Sequence, residues 1–363
     1  MTKGVSVPVK TADRERWTGT IFAFLSTFLY AVSNVAIRYL TDAEMVGGKV
    51  EHTWILFYKE IIGIAILLPW LLLRWGQGRF RYCSKRLILY IIIAAVICQL
   101  IGSQLQVLGY AVIGLIIAVP LIQASMLLGV ALLGYFIFGE YLSRRRKIAI
   151  TILIVAVTIL SIGKELTNTG EARVGSDIGA GIFLLVAIGT VVSGLAFAVY
   201  VVMIRYVIRQ FWQDESSARL SFSFRHWVGH DHVKQPGVRH YAPFPVTLLA
   251  VIVLAVGAVI FGAILYGKQG TAGFYAVPSA AWYAIVISGI CNLVAFIFQI
   301  QSLRMTSAVQ ASLIAVSQML LLSLIGWWFF DEIVTWIVMI GLGLIVYGIL
   351  MSARPENPNQ VKR

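Results

Sequence analysis

The chain has 363 residues, of which 59% are hydrophobic and 12% are charged, and its formal net charge is +13. A water-soluble fold of this length needs more polar surface than this composition supplies, which excludes an ordinary soluble domain. The apolar residues come in runs of about 20, the length at which a helix spans a hydrocarbon core of ~30 Å. Because these runs do not alternate with polar residues, they also exclude a membrane β-barrel. We therefore predict an all-α membrane protein.

Ten apolar runs are candidates for transmembrane helices, and they fall into two groups of five. The fifth run is short for a helix that crosses a bilayer, whereas the sixth is longer than one crossing needs. The predicted spans, in chain order, are Trp17–Leu40, Thr53–Trp75, Leu87–Tyr110, Leu115–Phe138, Ile148–Ile162, Ile178–Ile208, Phe244–Tyr266, Ala281–Leu303, Ala308–Phe330 and Ile333–Met351.

The basic residues are distributed unequally between alternate loops. If the N-terminus lies in the cytoplasm, 23 of the 29 Lys and Arg residues fall on the cytoplasmic side of the predicted spans. This bias is the positive-inside pattern of helical membrane proteins, and it favours an even number of spans. The net charge therefore indicates topology and not a nucleic-acid partner. We predict a multi-pass protein of the inner or plasma membrane with both termini in the cytoplasm.

Short segments of the first half recur in the second half at nearly constant distances. Duplicated sets with an odd number of membrane helices insert with opposite orientations, so the sequence predicts two inverted five-helix repeats. The matched segments are Ile37–Tyr39 with Ile204–Tyr206, 167 positions apart; Phe138–Glu140 with Phe330–Glu332, 192 apart; and Ile97–Leu100 with Ile290–Leu293, 193 apart.

These distances divide the chain into segments. The predicted repeats cover residues 17–163 and 178–351, with a connecting loop at 164–177. The increase from 167 to 192 or 193 implies about 25 extra residues between the sixth and seventh spans. We assign them to a polar cytoplasmic insertion at 211–242. Residues 1–16 form a cytoplasmic arm and residues 352–363 a cytoplasmic tail.

Three motifs resemble the EamA branch of the drug/metabolite transporter superfamily. The first span ends in Tyr30-Ala-Val-Ser-Asn34-Val-Ala-Ile-Arg38, and the fourth and ninth spans end in Phe-Gly-Glu140-Tyr-Leu-Ser and Phe-Asp-Glu332-Ile-Val-Thr. The resemblance implies a ten-helix secondary transporter that moves small metabolites or drugs, most often outward, through a central cavity that opens alternately to each side. Members of the family usually have a proline well inside the fourth and ninth spans. This chain departs from that pattern, because Pro120 lies early in the fourth span and the ninth span has no proline.

Polar residues on the third and eighth spans form the main candidate site. In an α-helix, Gln99, Gly102, Ser103 and Gln106 share one face, because their spacing is i, i+3, i+4 and i+7. The corresponding positions of the eighth span are Asn292, Ala295, Phe296 and Gln299. An amide in the middle of a membrane helix needs a hydrogen-bonding partner. We expect these side chains to bind substrate; the alternative is that they link the helices by hydrogen bonds.

Other polar residues extend the predicted cavity. Lys59 and Glu60 are charged within the second span, and adjacent residues of a helix point about 100° apart. We expect Lys59 to reach the outer interface, and Glu60 to face the interior, where it either couples transport to protons or forms a structural pair. The predicted substrate-binding residues are Gln99, Ser103, Gln106, Gln123, Asn292, Gln299, Gln318, Asn34 and Tyr30.

No cofactor or metal site is predicted. His226, His230, His232 and His240 of the insertion lack the cysteines and the regular spacing of a zinc module, and no Gly-rich phosphate loop follows a strand. The expected partners are a small-molecule substrate, the lipid bilayer and, as a coupling ion, protons. One alternative is a nucleotide-sugar or sugar-phosphate exchanger, which needs cationic side chains in the cavity. Another is a lipid-modifying membrane enzyme, although we do not expect enzymatic activity.

Overall fold

A computed structural model describes residues 9–46, 50–75, 85–138, 180–221, 243–270, 278–306, 308–330 and 336–353, with scattered positions between 144 and 159. All regular structure in these residues is helical. Eight stretches of them are long and apolar enough to cross a membrane, and they correspond to predicted spans one to four and six to nine. The predicted all-helical membrane class is confirmed for this part of the chain.

The spans are numbered here as in the prediction, from the first to the tenth. Most of the fifth predicted span, the connecting loop 164–177 and most of the insertion lie outside the described residues. A short helix, Ala43–Val46, follows the first span, and Trp336–Ala353 occupies the position of the tenth. The other helices are Val9–Thr41 (first), His52–Trp75 (second), Lys85–Ile97 with Gln104–Ile113 (third), Leu115–Phe138 (fourth), Ala180–Ser221 (sixth), Pro243–Gln269 (seventh), Ala281–Met305 (eighth), and Ala308–Ala315 with Gln318–Phe329 (ninth).

Two helices extend beyond the predicted limits. The first begins at Val9, inside the predicted arm 1–16, and the sixth continues past Ile208 to Ser221, inside the predicted insertion 211–242. Neither extension contains Gly or Pro, the residues that most often end a helix. The last residues of the arm and the first residues of the insertion therefore continue membrane helices.

The spans pack in a few long contacts. The first span runs along the eighth, and the sixth runs along both the third and the fourth. The second span packs against the seventh and eighth, and the fourth also contacts both pieces of the ninth. These contacts enclose the centre of the bundle between the described spans.

Glycine allows two of these contacts to be close. A Cβ atom added to Gly194 of the sixth span would overlap Ser125 Oγ and the carbonyl oxygen of Ile122 in the fourth span. A Cβ atom added to Gly19 of the first span would lie 2.6 Å from Cβ of Met305 in the eighth. Small residues at such positions let membrane helices gain van der Waals contact along their backbones.

Candidate functional site

A cavity of about 130 Å³ lies at the centre of the bundle and is lined by residues from all eight described spans. The fourth span lines the cavity with a helix that is mostly buried. The structure brings every predicted site residue to this cavity: Gln99, Ser103, Gln106, Gln123, Asn292, Gln299, Gln318, Asn34, Tyr30 and the predicted coupling residue Glu60.

The third span is not a regular α-helix where it meets the cavity. Its six residues Cys98–Ser103 form a π-helix, a rare distortion that occurs often at functional sites. Gly102, which the α-helical face was expected to turn into the cavity, instead packs against the ring of Phe197; a Cβ atom there would lie 3.1 Å from the ring. The expectation for Gly102 was wrong, because the π-helix and the close sixth span direct it away from the cavity.

Gln99 links the second and third spans. Its Nε2 donates a hydrogen bond of 3.1 Å to Oε1 of Glu60, and its Oε1 accepts a bond of 2.8 Å from Ser103 Oγ. Gly257 of the seventh span lies against this arrangement, since a Cβ atom there would be 2.8 Å from Gln99 Nε2 and 3.0 Å from Glu60 Cγ. Gln99 therefore lines the cavity and also joins helices, so the two roles considered for it are not exclusive.

Lys59 does not reach the outer interface. It is 6% exposed, lines the cavity, and places its Nζ 3.3 Å from Oε1 of Glu60, which is 1% exposed. The expectation for Lys59 was wrong because a four-carbon side chain can bend across the 100° between neighbouring helix positions. The cavity wall thus contains a buried ion pair whose two charges compensate each other.

Tyr30 and Gln299 form a second contact across the cavity. The Tyr30 hydroxyl donates a hydrogen bond of 2.9 Å to Gln299 Oε1, which joins the first and eighth spans. Gln106 corresponds to Gln299 in the internal repeat, but it bonds within its own span, where it donates to the Tyr110 hydroxyl at 2.7 Å. Asn292 lines the same cavity, and its amide has no hydrogen-bonding partner among the described residues.

The fourth and ninth spans meet through two glutamines. Gln123 Nε2 donates a hydrogen bond of 3.1 Å to Gln318 Oε1. The ninth span is interrupted at Val316 and Ser317, where Ser317 Oγ donates to the carbonyl oxygen of Ile314 at 2.7 Å. This interruption makes Gln318 the first residue of the second helical piece. Broken helices are common where transporters bind their substrates.

Aromatic residues of the sixth and eighth spans complete the cavity wall, and Phe296 among them belongs to the face predicted for the eighth span. The rings of Tyr200 and Phe296 stack with their centroids 5.9 Å apart, and Phe197 lies near them on the sixth span. The internal repeat contained a signal for two of these residues. Phe197 follows Tyr30 by 167 positions, and Phe296 follows Ser103 by 193, which are the distances found in the repeated segments.

The repeat distance of 167 positions also relates two arginines, Arg38 and Arg205. Both are buried, each at 4% exposure. Both residues lie at the ends of predicted spans, so the sequence predicts that their side chains extend to the lipid headgroups. Arg38 instead lies over the ring of Phe330, 5.3 Å from its centroid, and donates to Thr41 Oγ1 at 3.4 Å. The prediction is wrong because both side chains are buried, and Phe330 of the ninth span covers Arg38.

The histidines of the insertion lie outside the described residues, as do Glu140, Glu332 and Cys83. Within the described part of the chain, no group of three or more His, Cys, Asp or Glu residues is arranged to hold a metal ion. Cys98 and Cys291 are free thiols there. The chemistry of the described cavity is therefore that of hydrogen bonds, one ion pair and aromatic contacts.

Comparison with known proteins relates the second half of the chain to a family. Residues 236–354 match the EamA-like transporter family. This match confirms the EamA resemblance for the seventh span onward. A solved crystal structure has a similar fold, with a TM-score of 0.58 and 17% sequence identity, covering 92% of this chain and 95% of the other. At that identity the likeness concerns the fold alone. No curated protein matches the chain.

Proposed function

We propose that the protein is a secondary transporter that exports a small metabolite or drug across the inner or plasma membrane by alternating access. The observation that carries the proposal is the polar cavity at the centre of an apolar bundle. Polar and ionisable side chains inside a membrane are costly and are usually retained for function. Here eight spans contribute to one such site. The EamA-like match of residues 236–354 supports the same reading.

The cavity lining supports the architecture of two inverted repeats. Many lining residues are related by the distances at which the sequence repeats, and the packing of the first span on the eighth has its counterpart in the packing of the sixth on the third. Repeat-related pairs at a central site are typical of secondary transporters. Seven pairs are Tyr30 with Phe197, Asn34 with Val201, Gln99 with Asn292, Ser103 with Phe296, Gln106 with Gln299, Gln123 with Ala315, and Met126 with Gln318.

We propose that Tyr30 and Gln299 form a gate. A smaller cavity of about 20 Å³ lies beside the central one, and both residues line both cavities. The smaller cavity extends toward Ser26 and Ser302, in the halves of the first and eighth spans that the predicted topology places toward the cytoplasm. Breaking the hydrogen bond between Tyr30 and Gln299 would join the two spaces. The repeat-related pair, Phe197 and Gln106, lacks this hydroxyl group, so the two ends of the pathway differ.

Glu60 is our candidate for proton coupling. Its Oε1 bonds both Lys59 and Gln99, so a proton on this carboxylate would remove the ion pair and weaken the link between the second and third spans. A change in protonation would therefore alter contacts at the cavity wall. If this coupling exists, uptake into vesicles should respond to an imposed proton gradient, and the Glu60→Gln variant should lose that response.

One observation supports the anion-exchanger alternative, but two others argue against it. Lys59 supplies the cationic side chain that such an exchanger requires, yet Glu60 neutralises it at 3.3 Å. The cavity is also small, since a volume of about 150 Å³ holds a molecule the size of benzene. A nucleotide sugar is several times larger. The lipid-enzyme alternative depends on histidines outside the described residues and gains no support.

Export can be tested by comparing cells that express the protein with cells that express the Asn292→Leu variant at equal membrane level. We expect the medium of the former to accumulate at least one metabolite that the variant retains. Identical media across metabolite classes and drugs would contradict the proposal.

Reporter fusions at Gly170, His230 and Met351 test the topology, with the first expected outside and the other two in the cytoplasm.

A further inference from the structure

The glutamine pair of the fourth and ninth spans keeps two hydrogen-bonding atoms without a partner. Gln123 Nε2 bonds Gln318 Oε1, but Gln123 Oε1 and Gln318 Nε2 have no hydrogen-bonding partner among the described residues. Gln318 is only 3% exposed, so bulk water does not hydrate its amide. A buried polar group without a partner is destabilising. The pair therefore holds one acceptor and one donor without a partner in the described chain, in two residues that line the cavity. Both atoms are buried, so a ligand in the cavity bonds them by turning the two amides toward it.

A third such atom lies on another wall. Glu60 Oε1 receives both Lys59 and Gln99, whereas Glu60 Oε2 has no partner among the described residues. Glu60 belongs to the second span, which packs on the seventh and eighth, while the two glutamines belong to the fourth and ninth, which pack on each other. The free atoms thus lie in two places around one cavity.

The charge of the cavity limits what can bind to these atoms. Lys59 and Glu60 are the charged residues in the described lining, and they already compensate each other. A ligand with a net charge would bring an uncompensated charge into a buried site, which is strongly unfavourable. A zwitterion would compete with the contact between Lys59 and Glu60. An uncharged ligand with hydroxyl or carboxamide groups avoids both costs.

We infer that the cavity selects small uncharged polar solutes, in which a carboxamide or hydroxyl group bonds Gln123 and Gln318 and a second donor bonds Glu60. A carboxamide carries a donor and an acceptor on one planar group, which matches Gln123 Oε1 and Gln318 Nε2. The volume of about 130 Å³ limits the ligand to roughly the size of benzene. This inference rests on the proposed transport function and adds the class of substrate.

The test uses four compounds with four-carbon chains that differ mainly in charge: succinamide, succinate, 1,4-diaminobutane and 4-aminobutanoate. Binding to the purified full-length protein in nanodiscs is measured by calorimetry. We expect succinamide to bind at least tenfold more tightly than each of the other three. Equal or tighter binding of any charged compound or of the zwitterion overturns the inference, and so does a lack of succinamide binding.

Variants of the glutamine pair test the assigned contacts. Gln123→Leu and Gln318→Leu should each weaken succinamide binding at least tenfold. The matched control is Ser323→Ala, because Ser323 Oγ is another buried atom of the ninth span without a partner in the described chain, but it does not line the cavity. Unchanged affinity in both glutamine variants, or an equal loss in the control, overturns the assignment.

A transport assay separates this inference from the proposed function. Selective binding of succinamide without any transport in vesicles would contradict the transporter proposal and leave the inference standing. Transport of a charged solute with no preference for uncharged compounds would contradict the inference and leave the transporter proposal standing. If Gln318→Leu does not fold, the half-buried Gln123→Leu variant provides the same comparison.

Discussion

Gln99 of the third span donates a hydrogen bond to Glu60 of the second span, with 3.1 Å between Nε2 and Oε1. The same carboxylate oxygen lies 3.3 Å from Lys59 Nζ, and Gln99 in turn accepts a bond from Ser103. Two charged and two neutral side chains therefore form one buried arrangement at the cavity wall. A change in any one of them alters the hydrogen bonding of the others.

Replacing Lys59 by Met should destabilise the protein because it leaves Glu60 buried without its cation. Removing one partner of a buried ion pair costs about 3–5 kcal/mol. The double variant Lys59→Met/Glu60→Gln removes both charges and should recover most of this loss. Thermal unfolding of the purified single and double variants in detergent measures the effect. A double variant no more stable than Lys59→Met would show that the two residues do not act as a pair.

The amides of Gln99 and Asn292 should respond differently to replacement by Leu. Gln99→Leu removes two hydrogen bonds and should lower the free energy of unfolding by about 1–3 kcal/mol in addition to reducing transport. Asn292→Leu removes a cavity amide without a partner in the described chain, so it should reduce transport at unchanged stability. Melting temperature and transport per folded molecule separate the two effects. Equal loss of stability in both variants would contradict this distinction.

The contents of the cavity were predictable from the sequence because polar residues in apolar spans have few places to go. Gln99 and Asn292 are costly toward lipid, so a helix that carries them turns them inward. The repeat distances then select the partner positions, such as Gln106 and Gln299. These two signals require only the residue types and the spacing, and they identified the spans that meet at the cavity.

The orientation of individual side chains was less predictable. The direction of the Lys59 side chain could not be predicted, because this flexible side chain is long enough to reach either water or Glu60. The position of Gly102 depended on a π-helix, and nothing in the sequence of Cys98–Ser103 predicts that π-helix. Arg38 was covered by Phe330 from another span. Each error came from tertiary contacts that periodicity along one helix cannot reveal.

Gly257→Ala should impair transport with little loss of stability. The added methyl group would lie 2.8 Å from Gln99 Nε2 and 3.0 Å from Glu60 Cγ, which are movable side-chain atoms, so they should shift and lengthen their hydrogen bond. Gly267→Ala in the same helix is the control, because no atom lies within 4 Å of its added Cβ. In an exposed helix, Ala is favoured over Gly by about 0.5–1 kcal/mol. Normal transport by Gly257→Ala would argue against a role for the bond between Gln99 and Glu60.

Tyr30→Phe should loosen the proposed gate, because it removes the hydroxyl that bonds Gln299 while keeping the ring. The net contribution of such a bond is about 0.5–1.5 kcal/mol, which corresponds to a shift of roughly fivefold toward the open gate. The measurement is thiol labelling at Ser302→Cys in a background without the native cysteines, since Ser302 lines the smaller cavity beyond Gln299. We expect labelling to be about fivefold faster in the Tyr30→Phe protein.

Tyr39→Phe provides the matched control for the gate. The Tyr39 hydroxyl also makes a hydrogen bond, to the carbonyl oxygen of Met45 at 3.1 Å, but Tyr39 lines neither cavity. Its loss should leave labelling at Ser302→Cys unchanged. If Tyr39→Phe accelerates labelling as much as Tyr30→Phe, the effect reflects general loosening of the first span. If neither variant changes the rate, the contact between Tyr30 and Gln299 does not limit access, and the barrier lies in the apolar residues that the two cavities share, Met126, Val201 and Ala315.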